Sequence, residues 1–370
     1  MMTTGKKFVI LLRRGMGLTM QDDGKELPVI EDEKEWLQIM RLAKEQAVSG
    51  ILFRGMQQMP SEFSMPRQIV LRSYMRSQEI LKYNKKVDDA AVRLCASIEQ
   101  AGFPCCVLKG QGNALLYPDP SARMVGDIDV WVAASPKSVV DFARKALPSA
   151  HACYHHVTYA KCNGVEVELH YRPAFMNNPL HNRRMQRWFL KEAEAQCKHG
   201  VTLPNGAGTI NVPTDAFNRI FQMTHMMNHV VHEGLGMRQL MDYYFLLRRG
   251  FTPEEKLHDQ QLLRQFGLYG MAGAVMYVLR WLFVLPEDLM LVPPDRKRGV
   301  FLLKEVLYGG NFGHYDPQTR KARTWGARNL LRIKRDLKML TIFPSECLCE
   351  PLFRMWHFFW RIPFGINERK

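Results

Sequence analysis

The stretch VLKGQGNALLYPDPSARMVGDIDVWV, residues 107–132, decides how this chain is read. It follows Gly102-Phe103-Pro104, a break after a long periodic region. Residues 105–108 are a short apolar run of the length of a buried strand, 112–116 a short helix, and 127–132 an alternating strand. Downstream, Ser135-Pro136 opens a helix running to about Leu147, with serine as cap and proline in the first turn. Residues 151–161 and 165–171 then form two antiparallel strands joined by Asn163-Gly164, a strong hairpin signal. The order β-α-β-α-β-β predicts a small mixed α/β core over 103–173.

Outward from that core the pattern is helical. Trp36, Ile39, Met40, Leu42 and Ala43 recur at helical spacing, and a second long run follows Pro66. After Pro173, one helix capped by Asp215 runs past His232, another covers 236–249 and ends at Gly250, and further segments reach about Arg361. The expected organisation is a helical region over 1–102, the core over 103–173, and a helical region over 174–370 that turns basic toward its end.

The chain has 370 residues, 46% hydrophobic and 24% charged, an ordinary globular composition that excludes wholesale disorder. Its net charge is +15, and residues 291–370 hold 16 Lys/Arg against 7 Asp/Glu, so most of the excess lies there. Such a region suits an anionic partner: phosphate, nucleic acid or an acidic membrane surface. The apolar run 8–12 is cut off by Arg13 and Arg14, too short for a signal-peptide core. No uncharged stretch approaches the ~20 residues of a membrane span. Eight cysteines without a CxxC pair fit a reduced cytoplasm.

Asp127 and Asp129, two apart on a strand, leave the same face. Paired carboxylates at the edge of an apolar core repel each other unless a cation sits between them, and hard oxygen ligands suit Mg²⁺ or Mn²⁺. In 165–170 the apolar residues face one way and Glu166, Glu168 and His170 the other. A neighbouring strand could bring one of these acids to the pair, and three carboxylates can hold two divalent ions for an in-line phosphoryl displacement. Lys109-Gly110-Gln111-Gly112 lies between a strand and a helix, where backbone N–H groups and Lys109 could meet a phosphate. It is neither a Walker A loop nor the dinucleotide GxGxxG, since position 115 is Leu.

The segment 107–132, with NGVEVELHYRP at 163–173 and GLGMRQLMDYYFLL at 234–247, resembles the uncharacterised nucleotidyltransferase family of the DNA-polymerase-β-like superfamily. The resemblance covers about 105–173, and the helical stretch after it extends it to about 250. It implies an α+β fold with a small mixed-sheet polymerase-β-like nucleotidyltransferase core flanked by helical regions. It also implies transfer of a nucleoside monophosphate from an NTP such as ATP to an acceptor, with release of pyrophosphate and two Mg²⁺ (or Mn²⁺) ions. Carried onto this sequence, Asp127, Asp129 and Glu168 are the metal-binding and catalytic carboxylates, Glu168 activating the acceptor. Lys109, Gly110 and Gln111 form the nucleotide-binding loop, and Arg123 faces the triphosphate. Two departures stand out: Gln111 where the superfamily has Ser after the glycine, and Glu168 where relatives carry Asp.

His225, His229 and His232 share one helical face, followed by Glu233. HExxH is missing, so an acceptor pocket lined by His170, His225, His229 and Arg238, or plain interior packing, is the better reading than zinc. His151, Cys153 and His155 alternate along a predicted strand and read as structural. Arg238 and Asp242 are spaced as a helix salt bridge. The aromatic tail 352–364 reads as packing against the helical region, with peripheral membrane contact as the minor alternative. The basic run 320–338 leaves an RNA acceptor open. A non-catalytic nucleotide-binding protein on the same fold, docking an acidic partner, is the rival from another class.

Overall fold

A computed structural model describes residues 2–18, 28–60, 63–311 and 324–364; residues 320–323 of the basic run lie outside them. Among the described residues, the N-terminal region has four helices: α1 (Thr4–Gly15), α2 (Glu33–Glu45), α3 (Ser49–Gln57) and α4 (Arg67–Gln100). The apolar run Phe8 to Leu12, cut short by two arginines in the sequence, is buried in α1 together with Lys7 and Gly15. Helices α1 and α3 meet backbone to backbone. A Cβ at Gly55 would lie 2.0 Å from the Leu11 carbonyl oxygen, and one at Gly15 2.0 Å from that of Ile51. In α4, Val87, Ala90, Ala91, Leu94, Cys95 and Ile98 repeat at three- and four-residue steps, and all are buried toward the sheet.

The sheet contains β1 (Cys105–Leu108), β2 (Ile128–Val132), β3 (His156–Cys162) and β4 (Val165–His170), in the order β1-β2-β4-β3. Helix α5 (Gly110–Ala114) follows β1, and α6 (Pro136–Ala146), capped by Ser135, follows β2. The expected β-α-β-α-β-β order is therefore present, and the fold is α+β. Strand β2 is antiparallel to β1 and parallel to β4, while β3 is antiparallel to β4. Asn163 and Gly164, at φ 49° and 71°, make the tight turn of the β3–β4 hairpin. The predicted strand at 151–161 begins only at His156; before it, a single bridge joins Ala152 to Val157. One face of the sheet (Val107, Ile128, Val130, Val132, Val167, Leu169) packs with α4 and α6. From the other, Leu108 and Trp131 enter the core of the C-terminal helices, where Trp131 stacks on Phe217 at 5.7 Å.

That second face is roofed by α7 (Pro179–Gln196), α8 (Asp215–His232), α9 (Met237–Arg248), α10 (Pro253–Gln265), α11 (Tyr269–Phe283) and α12 (Arg296–Gly309), then the helices Trp325–Leu340 and Pro344–Trp360. Between α7 and α8 the chain also forms a hairpin, β5 (Gly200–Leu203) and β6 (Gly208–Asn211), where only helices were expected. Its turn, with Asn205 and Gly206 at φ 60° and 71°, uses the same chemistry as Asn163-Gly164. Thr214, rather than Asp215, caps α8 by accepting from the Phe217 N–H. In the aromatic tail, Phe353, Trp356 and Trp360 pack edge-on around Tyr154, beside the sheet, while Phe358 and Phe359 stay exposed. No helix among the described residues is long and apolar enough to cross a membrane.

Candidate active site

Parallel pairing of β2 with β4 sets Asp129 directly opposite Glu168 and Trp131 opposite His170. Paired residues share a sheet face, so both functional side chains emerge toward α8 and α9. Asp127, on the turn just before β2, completes the group: one oxygen each from Asp127, Asp129 and Glu168 lie within 4.8 Å of one another. Asp127 is exposed, whereas Asp129 is 6% exposed.

Both oxygens of Asp129 are engaged. Lys109 Nζ lies 2.8 Å from Oδ2, and His170 Nε2 lies 2.8 Å from Oδ1. Burial would raise this carboxyl, but Lys109 and His170 outweigh it and hold it well below its usual range. The same pairing acts on His170. Burial opposes its charge, yet Asp129 and Glu168 push it up to about 9. Glu168, 3.5 Å from both His170 Nε2 and His156 Nδ1, is lowered by these neighbours despite burial. Asp127 is pushed the other way, to about 6, chiefly by the charge of Asp129 beside it.

Lys109 occupies a turn that few side chains adopt, φ 56°, and Gly110 continues it at φ 42°. This turn swings the Lys109 amine back over the sheet edge to Asp129 and to His225 Nε2, 3.3 Å away. The expected helix N-terminus for a phosphate is weak here, because α5 spans only five residues and carries little dipole. Gly112 faces Val212 instead; a Cβ there would meet its Cγ1 at 3.0 Å. Gln111 is buried on the other side, where it lines a separate cavity with Asp88 and Asn84. Of the three loop residues, Lys109 and Gly110 line the cleft and Gln111 does not.

Arg123 lines the cleft as well, but its guanidinium is engaged within the protein. It is 4% exposed and forks onto Asp242, Nε to Oδ1 at 2.7 Å and Nη2 to Oδ2 at 2.6 Å. The Tyr117 hydroxyl and the Asn113 amide donate to the same carboxylate. Asp242 thus ties α9 to the loop before β2 rather than serving only as a helix neighbour of Arg238. Arg238 donates to the Met124 carbonyl at 3.0 Å, fixing that loop close to Asp127.

His170, His225, His229 and Arg238 all line one cleft of about 1410 Å³. His225 and His229 face each other at 2.8 Å, and His229 Nδ1 is 3.0 Å from Glu233, so a polar line runs from Asp129 through Lys109 to Glu233. Burial and the Lys109 charge keep His225 well below its usual value, so its neutral nitrogen can accept from Lys109. Across the cleft stand Lys304, Lys334 and Lys338 from the basic C-terminal region. Sequence reasoning missed His156, which reaches Glu168, and the tie from Tyr117 and Asn113 to Asp242. Each depends on long-range packing, and neither left a local signal.

The family described as an uncharacterised nucleotidyltransferase matches residues 32–284. No curated protein matches the chain. A crystal structure of an antigenic nucleotidyltransferase-like protein from Paracoccidioides brasiliensis is similar at 12% identity, over 55% of this chain and 92% of that one, with a TM-score of 0.29.

Proposed function

From the fact that the chain belongs to the uncharacterised nucleotidyltransferase family, we propose that it moves a nucleoside monophosphate from an NTP to an acceptor and releases pyrophosphate. The observation that supports this best is the register of Asp129 against Glu168 with Asp127 beside them, an all-oxygen donor set on the wall of a large cleft. The donors fit a hard divalent cation such as Mg²⁺ or Mn²⁺, since the mutual repulsion that raises Asp127 is what a cation between the carboxylates would relieve. Asp127, Asp129 and Glu168 would hold such ions, which when bound neutralise triphosphate charge and lower the acceptor hydroxyl's pKa.

The chain's own groups perform the rest. Glu168 takes the proton of the acceptor hydroxyl as its oxygen forms a bond to the α-phosphorus; the bond from that phosphorus to the bridging oxygen breaks, and pyrophosphate leaves. Lys109 shifts from Asp129 Oδ2 to the phosphates, which frees that oxygen and places a cation on the leaving group. His170 keeps its bond to Oδ1 and orients Asp129. Arg123 acts through Asp242, holding α9 and the loop before Asp127 in place. The cleft volume accommodates a nucleotide together with an acceptor, and its lysine wall favours anionic groups. A reducing, cytoplasmic setting suits the eight free thiols.

One observation favours a second reading, a nucleotide-binding protein without turnover: Lys109 and His170 already satisfy both oxygens of Asp129. Incubation with α-³²P-labelled NTPs, Mg²⁺ or Mn²⁺ and a cell lysate separates the two. Label transferred to an acceptor, and lost in Asp127→Asn/Asp129→Asn, is the expected result. Divalent-dependent NTP binding with no transfer from any nucleotide would replace the enzyme reading with the binding one.

A further inference from the structure

A second group of ligand-type side chains lies beside the carboxylates, on the segment leading into β3. Cys153 Sγ is 3.4 Å from His156 Nδ1 and 3.7 Å from His155 Nδ1. His155 Nε2 is 3.0 Å from His156 Nδ1, so His155 can present either ring nitrogen. One ligand atom from each of Cys153, His155 and His156 fits within 4.8 Å of the others. Zinc bonds of about 2.3 Å to sulfur and about 2.0–2.1 Å to nitrogen imply ligand separations of about 3.3–3.6 Å in a tetrahedron. The Cys153–His156 spacing of 3.4 Å falls in that range, and the ring of His155 offers one nitrogen 3.7 Å from Cys153 and the other 3.0 Å from His156.

The segment is held in place by its backbone. The Tyr171 hydroxyl donates to the carbonyls of Cys153 and His156, and the Cys153 N–H returns a bond to the His156 carbonyl at 2.9 Å. The N–H groups of Tyr171 and Arg172 both donate to the His155 carbonyl, and Arg172 Nη1 donates to that of Tyr154. The three side chains therefore converge on a fixed frame, as a preformed ligand set requires. Their lone pairs crowd toward one point. His156 Nδ1 faces Cys153 Sγ, a His155 nitrogen and, at 3.5 Å, Glu168 Oε2, yet one N–H can serve only one of them.

We propose that Cys153, His155 and His156 form a second metal site, of the borderline-soft kind that Zn²⁺ occupies, next to the hard-ion site of Asp127, Asp129 and Glu168, which it borders where His156 meets Glu168. Sulfur and imidazole donors select a transition metal over Mg²⁺, and carboxylates do the reverse. Three protein ligands leave a fourth position open, and because His155 and His156 line the cleft, that position faces it. This site stands independently of nucleotidyl transfer.

The test is spectroscopic. The full-length protein is stripped with a chelator and titrated with Co²⁺ alone, without nucleotide. One equivalent is expected to bind with thiolate-to-cobalt charge-transfer absorption in the near ultraviolet, and Zn²⁺ should displace it. Cys153→Ser should remove that absorption, His155→Ala should weaken Co²⁺ binding by about tenfold or more, and Asp129→Asn should leave the band in place. A wild-type titration without the charge-transfer band overturns the site, as does a band that survives Cys153→Ser. The wild-type arm decides the matter even where a variant fails to fold, and neither outcome depends on finding an acceptor.

Discussion

At the scale of single residues, charge neutralisation governs the site. Lys109 sits 2.8 Å from Asp129 Oδ2, where it competes with any divalent cation for that oxygen. Lys109→Met is therefore expected to tighten Mn²⁺ binding in the absence of nucleotide, while slowing transfer at least tenfold because the leaving group loses its cation; electron paramagnetic resonance titration reads the first effect and label transfer the second. Asp242 has a structural burden instead. With Arg123, each side chain only 5% exposed, it forms a buried pair that Tyr117 and Asn113 complete. Asp242→Ala strands a buried guanidinium and should cost about 3–5 kcal/mol in urea unfolding. Asp88, on α4, is pushed up to about 6 by burial. Its folded value exceeds the unfolded one, so the native state holds the proton more tightly; the stability this gives is present at low pH and lost as pH rises from about 4 through 6. Asp88→Asn escapes that loss, and its stability relative to wild type should grow by about 2 kcal/mol between pH 4 and pH 8.

Between elements, backbone contact and strand register do the positioning. The α1–α3 crossing tolerates no side chain, because a Cβ at Gly55 would overlap the Leu11 carbonyl oxygen. Gly55→Ala should force the helices apart and cost about 1–3 kcal/mol or more, measurable as a lowered urea midpoint at unchanged m-value. That crossing was not legible beforehand: the run 8–12 shows apolar residues but not the partner they pack on. The strand pair was half legible. Period two places Asp127 and Asp129 on one face, but their approach to Glu168 needs β2 and β4 to be adjacent, parallel and in one register. A slip of one residue would turn Glu168 to the opposite face. The β5–β6 hairpin was missed although Asn205-Gly206 carries the same turn signal as Asn163-Gly164, because its four-residue strands are too short to display a period.

For the whole molecule, the consequence is a cleft whose walls come from the central sheet and the C-terminal helices: carboxylates from the sheet, histidines from α8, and lysines from α12 and Trp325–Leu340. Charge reversal of two of those lysines, Lys304→Glu/Lys334→Glu, should weaken Mg-NTP binding about tenfold at low salt, with the deficit shrinking as salt rises; fluorescence titration at two ionic strengths measures it. By itself the sequence determined the α+β class, the β-α-β-α-β-β order, the acidic pair on one face and the kinship carried by Lys109-Gly110, Asp127, Asp129 and the ELH triplet ending in His170. These are local properties, written in periodicity, turn residues and spacing. Only the tertiary structure decided that Lys109 closes on Asp129, that Arg123 is taken up by Asp242, that Gln111 turns away, and that Cys153, His155 and His156 converge beside Glu168. Each of these rests on partners brought together by packing or register, and a one-dimensional pattern does not encode which of many compatible charges will meet.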